Sequence, residues 1–174
     1  MGDLNTKTQK SISETAAKIG EIDLVLREIL EKDLDDVLAI ERASFASPWS
    51  RHFFLEELEG SCARSVLSES RGIVVGYCLY WHLATDVDIH NIAVHREYRR
   101  CGVGRSMLQH IIAQALNVGL QNITLEVRKS NEAAQSLYRS LGFEVCGVRR
   151  GYYSNDGEDA WVMILRLNSM PSDR

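Results

Sequence analysis

The stretch His95-Arg96-Glu97-Tyr98-Arg99-Arg100-Cys101-Gly102-Val103-Gly104-Arg105 joins an alternating segment, Val87 to Val94, to a long run of helical period. From Gly102 onward Val103, Met107, Leu108, Ile111, Ile112, Ala115 and Leu116 fall on one stripe of a helix. The stretch is therefore a strand-to-helix turn. It holds four arginines against one glutamate, a local excess of +3 in a chain of net charge −4. A helix start offers unpaired N–H groups and the positive end of the helix dipole. Glycines at 102 and 104 remove Cβ atoms that would hold an anion off those amides. Together Arg99, Arg100, Cys101, Gly102, Val103, Gly104 and Arg105 predict an anion site, best suited to a pyrophosphate. The familiar phosphate motifs are not the ones used. There is no G-x-x-x-x-G-K-[ST], and a dinucleotide fingerprint would need glycine where Met107 stands. On spacing and charge alone, a solvated basic turn with a glycine-assisted helix start is the competing reading.

Working outward, Gly119 ends that helix, and Asn122 to Arg128 alternates as a strand. Asn131 caps a last helix with the stripe Ala134, Leu137, Tyr138 and Leu141, stopped by Gly142. Phe143 to Tyr153 and Ala160 to Leu167 read as strands around Ser154-Asn155-Asp156-Gly157, a hairpin signal. Upstream, Ile22 to Ile29 reads as a strand, and Leu34, Val37, Leu38, Ile40 and Ala43 make an amphipathic helix. Pro48-Trp49-Ser50 is a turn, with Ser50 placed to cap a short helix carrying Phe53, Phe54, Leu55 and Leu58. Ser65 to Ser68, Ile73 to Trp81 and Val87 to Val94 are strand-like. The order is a mixed α/β one. Residues 1–20 form a polar extension, expected to be mobile or loosely helical; 21–168 form one domain, and 169–174 a tail.

With 174 residues, 45% hydrophobic and 25% charged, the chain fits a single globular domain with a sizeable core. The acidic balance argues against a surface devoted to nucleic acid. The longest apolar run, Ile73 to Ala84, is twelve residues broken by Gly76 and His82, short of the ~20 that a spanning helix needs. The first twenty residues carry no apolar signal-peptide core, so no membrane or export role is expected. Met1-Gly2 with Thr6 fits only the bare myristoylation pattern. Cys62, Cys78, Cys101 and Cys146 are scattered, and the five histidines lack ligand spacing. Neither a disulfide framework nor a metal site is expected, and a reducing cytoplasm is the simplest home.

Arg99-Arg100-Cys101-Gly102-Val103-Gly104, after Asn91-Ile92-Ala93-Val94, resembles the acetyl-CoA signature [QR]-x-x-G-x-[GA] of the GNAT superfamily of N-acetyltransferases, with Arg99 at its first position. The resemblance runs from about Ile22 to Leu167 and is closest to the RimI group, which acetylates the N-terminal alanine of a small-subunit ribosomal protein. Its further pieces are Pro48-Trp49-Ser50, Leu125-Glu126-Val127-Arg128, Ser130-Asn131, Leu137-Tyr138, Leu141-Gly142-Phe143 and Arg149-Arg150-Gly151-Tyr152-Tyr153 with Asp159-Ala160. It implies a mostly antiparallel sheet with helices on its faces, whose two central parallel strands splay apart to admit pantetheine. It also implies that Ile92, Ala93 and Val94 offer backbone groups to pantetheine. Residues Arg100 to Arg105 would hold the pyrophosphate, and Asn131 would sit beside the pantetheine arm.

Acetyl transfer needs particular side chains. An α-amine with a pKa near 7.7–8.0 is mostly ammonium at neutral pH, so a proton must leave before it attacks. In Ile123 to Arg128 the apolar residues share one face and Glu126 takes the other, which suits a general base of raised pKa. A surface glutamate paired with Arg128 is the plainer reading; the resemblance favours the base. Tyr138 lies on an apolar stripe, where a tyrosine is often core, but the resemblance makes it the acid for the departing thiolate and a cofactor neighbour. Trp49, Tyr152 and Tyr153 resemble the loops that clasp a peptide N-terminus. Asp88 and His90 share a face of their strand, and either could touch substrate. Cys101 is not expected to be a nucleophile, since it sits in the phosphate turn with no histidine partner in view.

The expectation is a direct, ternary-complex transfer from acetyl-CoA to a protein or peptide N-terminus, without metal or nucleic acid. An acetyltransferase for a small amine or a lysine is the alternative within enzymes. A CoA-sensing module without catalysis is the alternative outside them. The oligomeric state is not legible in the sequence.

Overall fold

The computed structural model describes residues 15–19 and 22–167. Eight strands form one sheet: β1 (Thr15–Ile19), β2 (Ile22–Arg27), β3 (Ala63–Ser70), β4 (Ile73–His82), β5 (Asp86–Val94), β6 (Asn122–Arg128), β7 (Glu144–Tyr153) and β8 (Glu158–Arg166). Four α-helices accompany them: α1 (Leu34–Ser44), α2 (Arg51–Glu59), α3 (Val103–Asn117) and α4 (Glu132–Ser140). The strand order is β1-β2-β3-β4-β5-β6-β8-β7. Every neighbouring pair is antiparallel except β5 and β6, which run parallel near the middle of the sheet.

The helix boundaries follow local chemistry. Ser50 caps α2 by accepting from Phe53 N at 3.2 Å, and Asn131 caps α4 by accepting from Ala134 N at 3.1 Å. Gly102 stands at the N-cap of α3 with φ 84°, a left-handed conformation that glycine adopts without a Cβ clash. Gly104 answers a different need. A Cβ there would lie 3.3 Å from Cδ2 of Leu137, so its bareness lets α3 start close against α4.

Two apolar clusters cover the sheet. One joins α3, through Val103, Met107, Leu108, Ile111 and Ile112, to Val87, Ile89, Leu125 and Met163. The other joins Leu34, Val37, Leu38 and Ile40 of α1 and Phe54 of α2 to Leu67, Tyr77, Leu79 and Ala93. Each fully buried Leu, Ile or Met contributes roughly 1.5–3 kcal/mol. Ala43, expected on the α1 stripe, is exposed, and Glu41 is buried in that row instead.

Two irregularities in β5 shape the middle of the sheet. Pairing with β6 has four rungs, from Asp86↔Asn122 to Ile89↔Leu125, and stops there although both strands continue. On its other side Tyr80 pairs with Ile89 and Leu79 with Asn91, which leaves His90 as a bulge. The bulge switches faces: Val87 and Ile89 pack with α3, whereas Ala93 packs with α1 and α2. The splay implied by the resemblance therefore begins at a definite rung.

One segment differs from its expectation. Thr15–Ile19, read as mobile or loosely helical, pairs antiparallel with β2 from Thr15↔Leu26 to Ile19↔Ile22. An edge strand is held through the backbone, so it can form without the apolar alternation that marks inner strands. The remainder of the extension and the tail 169–174 lie outside the described residues. Among the described residues no helix is long and apolar enough to cross a membrane.

Candidate active site

A groove of about 1000 Å³ opens where β5 and β6 part. Its walls are Ile92, Ala93 and Val94 on the end of β5 that has parted from β6; Arg99 and Arg100 in the turn; Gly102, Val103, Gly104 and Arg105 at the start of α3; and Asn131 and Tyr138 around α4. Of the expected cofactor residues, Cys101 alone does not line it; its Sγ lies 3.6 Å from the carbonyl oxygen of Arg99. Arg100 holds φ 63°, a left-handed conformation that costs a non-glycine residue ~1–3 kcal/mol and tends to mark a functional turn. Two left-handed residues so close together, at 100 and 102, bend the chain into the kind of concavity in which successive N–H groups face an anion.

The arginines of the turn divide their work. Arg99 donates from Nε to the carbonyl of Val94 at 3.1 Å and from its guanidinium to Ser44 Oγ at 3.2 Å, tying the turn to β5 and α1. Arg105 reaches Ser140 Oγ at 2.6 Å and ties α3 to the end of α4. The Asn131 carboxamide oxygen is engaged in capping α4. The Tyr138 ring packs against Phe143, with centroids 5.9 Å apart. Burial above all, with Cys78 and Tyr153 adding, pushes its phenol well above the ordinary tyrosine range, so it stays protonated and able to donate.

Just past the last parallel rung, on the sheet face away from α3, stands Glu126. Its side chain is 15% exposed, and its Oε1 lies 3.0 Å from Arg149 Nε of β7. Burial raises its pKa above the usual carboxylate value; Arg149 opposes the shift and Asp88 adds to it. Asp88 accepts from Thr124 Oγ1 at 2.9 Å and lies 3.6 Å from His90 Nε2. That nitrogen is buried without a hydrogen-bond partner among the described residues. The His90 ring stacks on Trp81 at 4.1 Å, and Trp81 Nε1 donates to Glu57 at 2.9 Å. The arginine two residues along β6 is engaged elsewhere: Arg128 pairs with Asp156 at 2.8 Å and Glu158 at 2.7 Å.

Tyr152 and Tyr153, at the end of β7, meet edge to face with ring centroids 5.2 Å apart. The Arg149 guanidinium lies 5.4 Å from the Tyr152 ring, and that of Arg128 lies 3.8 Å from the Tyr153 ring. The Tyr153 phenol is pushed up to about 12, by burial first, with Arg128 opposing and Tyr152 and Glu126 adding.

Trp49 belongs to a third group. Its ring meets Phe53 at 4.5 Å and Phe54 at 5.5 Å, and its backbone N–H donates to Glu41 Oε1 at 2.8 Å. Glu41 is 1% exposed and also accepts from the Tyr77 hydroxyl and from Asn91 Nδ2, the latter at 3.1 Å. Sequence reasoning missed this residue. The available signal was a glutamate at a core position of the α1 stripe, one turn after Val37 and Leu38.

Residues 34–143 match the acetyltransferase (GNAT) family. The chain is 36% identical over 138 residues to the [ribosomal protein bS18]-alanine N-acetyltransferase of Escherichia coli (strain K12), covering 78% of this chain and 93% of that one. It is 36% identical over 148 residues to an N-alpha-acetyltransferase of Sulfurisphaera tokodaii, covering 78% and 88%. Among solved structures, the ribosomal-protein-S18-alanine N-acetyltransferase from Escherichia coli superposes with a TM-score of 0.78 at 31% identity, over 87% of this chain and 98% of that one.

Proposed function

The chain belongs to the GNAT acetyltransferase family, and on that premise we propose that it transfers acetyl from acetyl-CoA directly to the α-amine of a protein N-terminus. The acceptor that its relatives point to is the N-terminal alanine of ribosomal protein bS18. What supports this reading is a half-buried carboxylate, Glu126, one residue beyond the last parallel rung of a sheet whose groove is lined by a buried phenol, Tyr138.

In this reading the turn from Arg99 to Arg105 receives the pyrophosphate on its backbone amides, with its arginines supplying positive charge. The parted end of β5 at Ile92, Ala93 and Val94 faces the pantetheine arm, and Asn131 borders it. An acceptor arrives as R–NH3+ over the carboxylate row, where Trp49, Tyr152 and Tyr153 border it. Glu126 takes one proton, and the free amine attacks the thioester carbonyl carbon. The oxyanion that forms needs an N–H donor. As the C–S bond breaks, Tyr138 donates a proton to the sulfur; the second proton lost by the nitrogen restores the phenol, and Glu126 passes its proton to water. R–NH3+ and acetyl-CoA thus give the acetyl amide, the CoA thiol and one proton to water. Cys101 lies off the groove, which supports direct transfer over a covalent acetyl-cysteine. Four free cysteines accord with work in a reducing cytoplasm.

The test is incubation with acetyl-CoA and peptides differing in their first residue, following thiol release and peptide mass together. Acetylation confined to the α-amine of an alanine-first peptide is the expected result. Acetylation of lysine or of small amines would replace the acceptor, and CoA binding without transfer to any of them would replace the activity with sensing.

A further inference from the structure

We propose that Glu41 is a positioning residue, a buried carboxylate that locks the acceptor-side loop carrying Trp49 to strand β5 beside its bulge. This rests on the reading of Trp49 as an acceptor neighbour. A charge at a core position of α1 needs a reason, because a buried ion pays heavily in lost hydration and a leucine or methionine would fill the same volume. The reason lies in three donors from three elements that converge on one carboxylate. They are the Trp49 backbone N–H from the loop after α1, the Tyr77 hydroxyl from β4, and Asn91 Nδ2 from β5.

Burial, with Glu41 adding, pushes the Tyr77 phenol far above its ordinary range, so it remains a donor. Asn91 directly follows the bulged His90 and precedes Ile92, the first groove residue of β5. The carboxylate therefore spans from the loop to the point where β5 changes face. A second connection runs parallel to it through rings, from Trp49 to Phe54 at 5.5 Å and from Phe54 to Tyr77 at 5.7 Å. The backbone of β5 keeps its ladder to β4 from Gly76↔Val94 to Leu79↔Asn91 without Glu41. The loop has no such ladder, so loss of Glu41 should register on the acceptor rather than on acetyl-CoA.

Steady-state kinetics with acetyl-CoA and an alanine-first peptide test this in Glu41→Met, which keeps the volume and removes the acceptor oxygens, and in Glu41→Gln, which keeps one. Glu41→Met should raise the KM for peptide about tenfold, the effect of one lost hydrogen bond, with the KM for acetyl-CoA essentially unchanged. Glu41→Gln should restore most of the difference, its Oε1 accepting from Trp49 N and its amide donating to Asn91 Oδ1 once that carboxamide flips. Equal shifts in both KM values, lower thermal stability with both KM values unchanged, or no rescue by glutamine would overturn the inference. Trp49→Ala separates the two readings. A wild-type peptide KM in that variant removes Trp49 from the acceptor site, whereas an impaired Trp49→Ala beside a normal Glu41→Met refutes the role of Glu41 alone. Should Glu41→Met not fold, amide exchange at Trp49 in the wild type decides. Slow exchange that peptide, and not acetyl-CoA, slows further is expected, and exchange at the rate of a free loop amide overturns the lock.

Discussion

The groove side and the carboxylate side of the splayed strands are made of different material. The groove side is main chain: a strand end with one edge open, a turn with two left-handed residues, and the start of a fifteen-residue helix. Several of its side chains serve the scaffold, as Arg99 does toward Val94 and Ser44, and Arg105 toward Ser140. The carboxylate side is side chain: Glu126 on Arg149, Asp88 on Thr124, His90 on Trp81, and Tyr152 edge to face with Tyr153. A site made of backbone is sensitive to conformation and tolerant of side-chain identity. A site made of paired side chains is the reverse.

The sharpest challenge to this contrast is Glu126→Gln, which alters one proton-binding atom and nothing in the backbone. It should lower kcat by about 10²–10⁴-fold, the scale of general-base catalysis, and erase the acidic limb of the pH–rate profile. Wild-type turnover with an unchanged profile would remove Glu126 from the chemistry. The same variant has a stability signature. Because the pKa of Glu126 is raised in the fold, ionisation costs the folded state; stability is greatest below the ordinary carboxylate range and falls as pH rises through the raised value. Glu126→Gln should therefore unfold at no lower a temperature than the wild type at neutral pH, as read by calorimetry.

Tyr138→Phe comes next, with kcat lowered by about 10²-fold and a normal KM for acetyl-CoA; full turnover with chemistry rate-limiting would make the residue structural. On the main-chain side, Gly102→Ala changes no donor and strains a φ of 84°. It should cost about 1–2 kcal/mol in unfolding experiments and raise the KM for acetyl-CoA several-fold more than it lowers kcat. Arg149→Met is the smallest. Arg149 holds down the pKa of Glu126, so its loss should move the acidic limb of kcat/KM to higher pH without abolishing it.

What was legible in the sequence follows the same division. The strand-to-helix turn at 99–105 could be read because it leaves a local signature: glycines, arginines and a change of period within eleven residues. Glu126 could be read because strand alternation alone settles its face. Arg149 as its partner could not, since that contact depends on β7 lying beyond β8 at the edge of the sheet, a matter of topology rather than spacing. Glu41 escaped for a related reason, its donors lying far along the chain at Tyr77 and Asn91. The strand Thr15–Ile19 escaped because backbone pairing at an edge asks little of side chains. The hairpin at 154–157, by contrast, was announced by its own four residues.

The parallel strands are joined by four rungs and then part, while β5 remains paired to β4 along its other edge. Beyond Ile89, then, successive amides of one strand meet two different worlds, a ladder on one side and solvent on the other. Placed in deuterated water, this short stretch should exchange in alternation, one amide slow and the next fast, a written record of which edge each faces. A bound molecule that runs along the open edge would be seen as the fading of that alternation, residue by residue, before any product had formed.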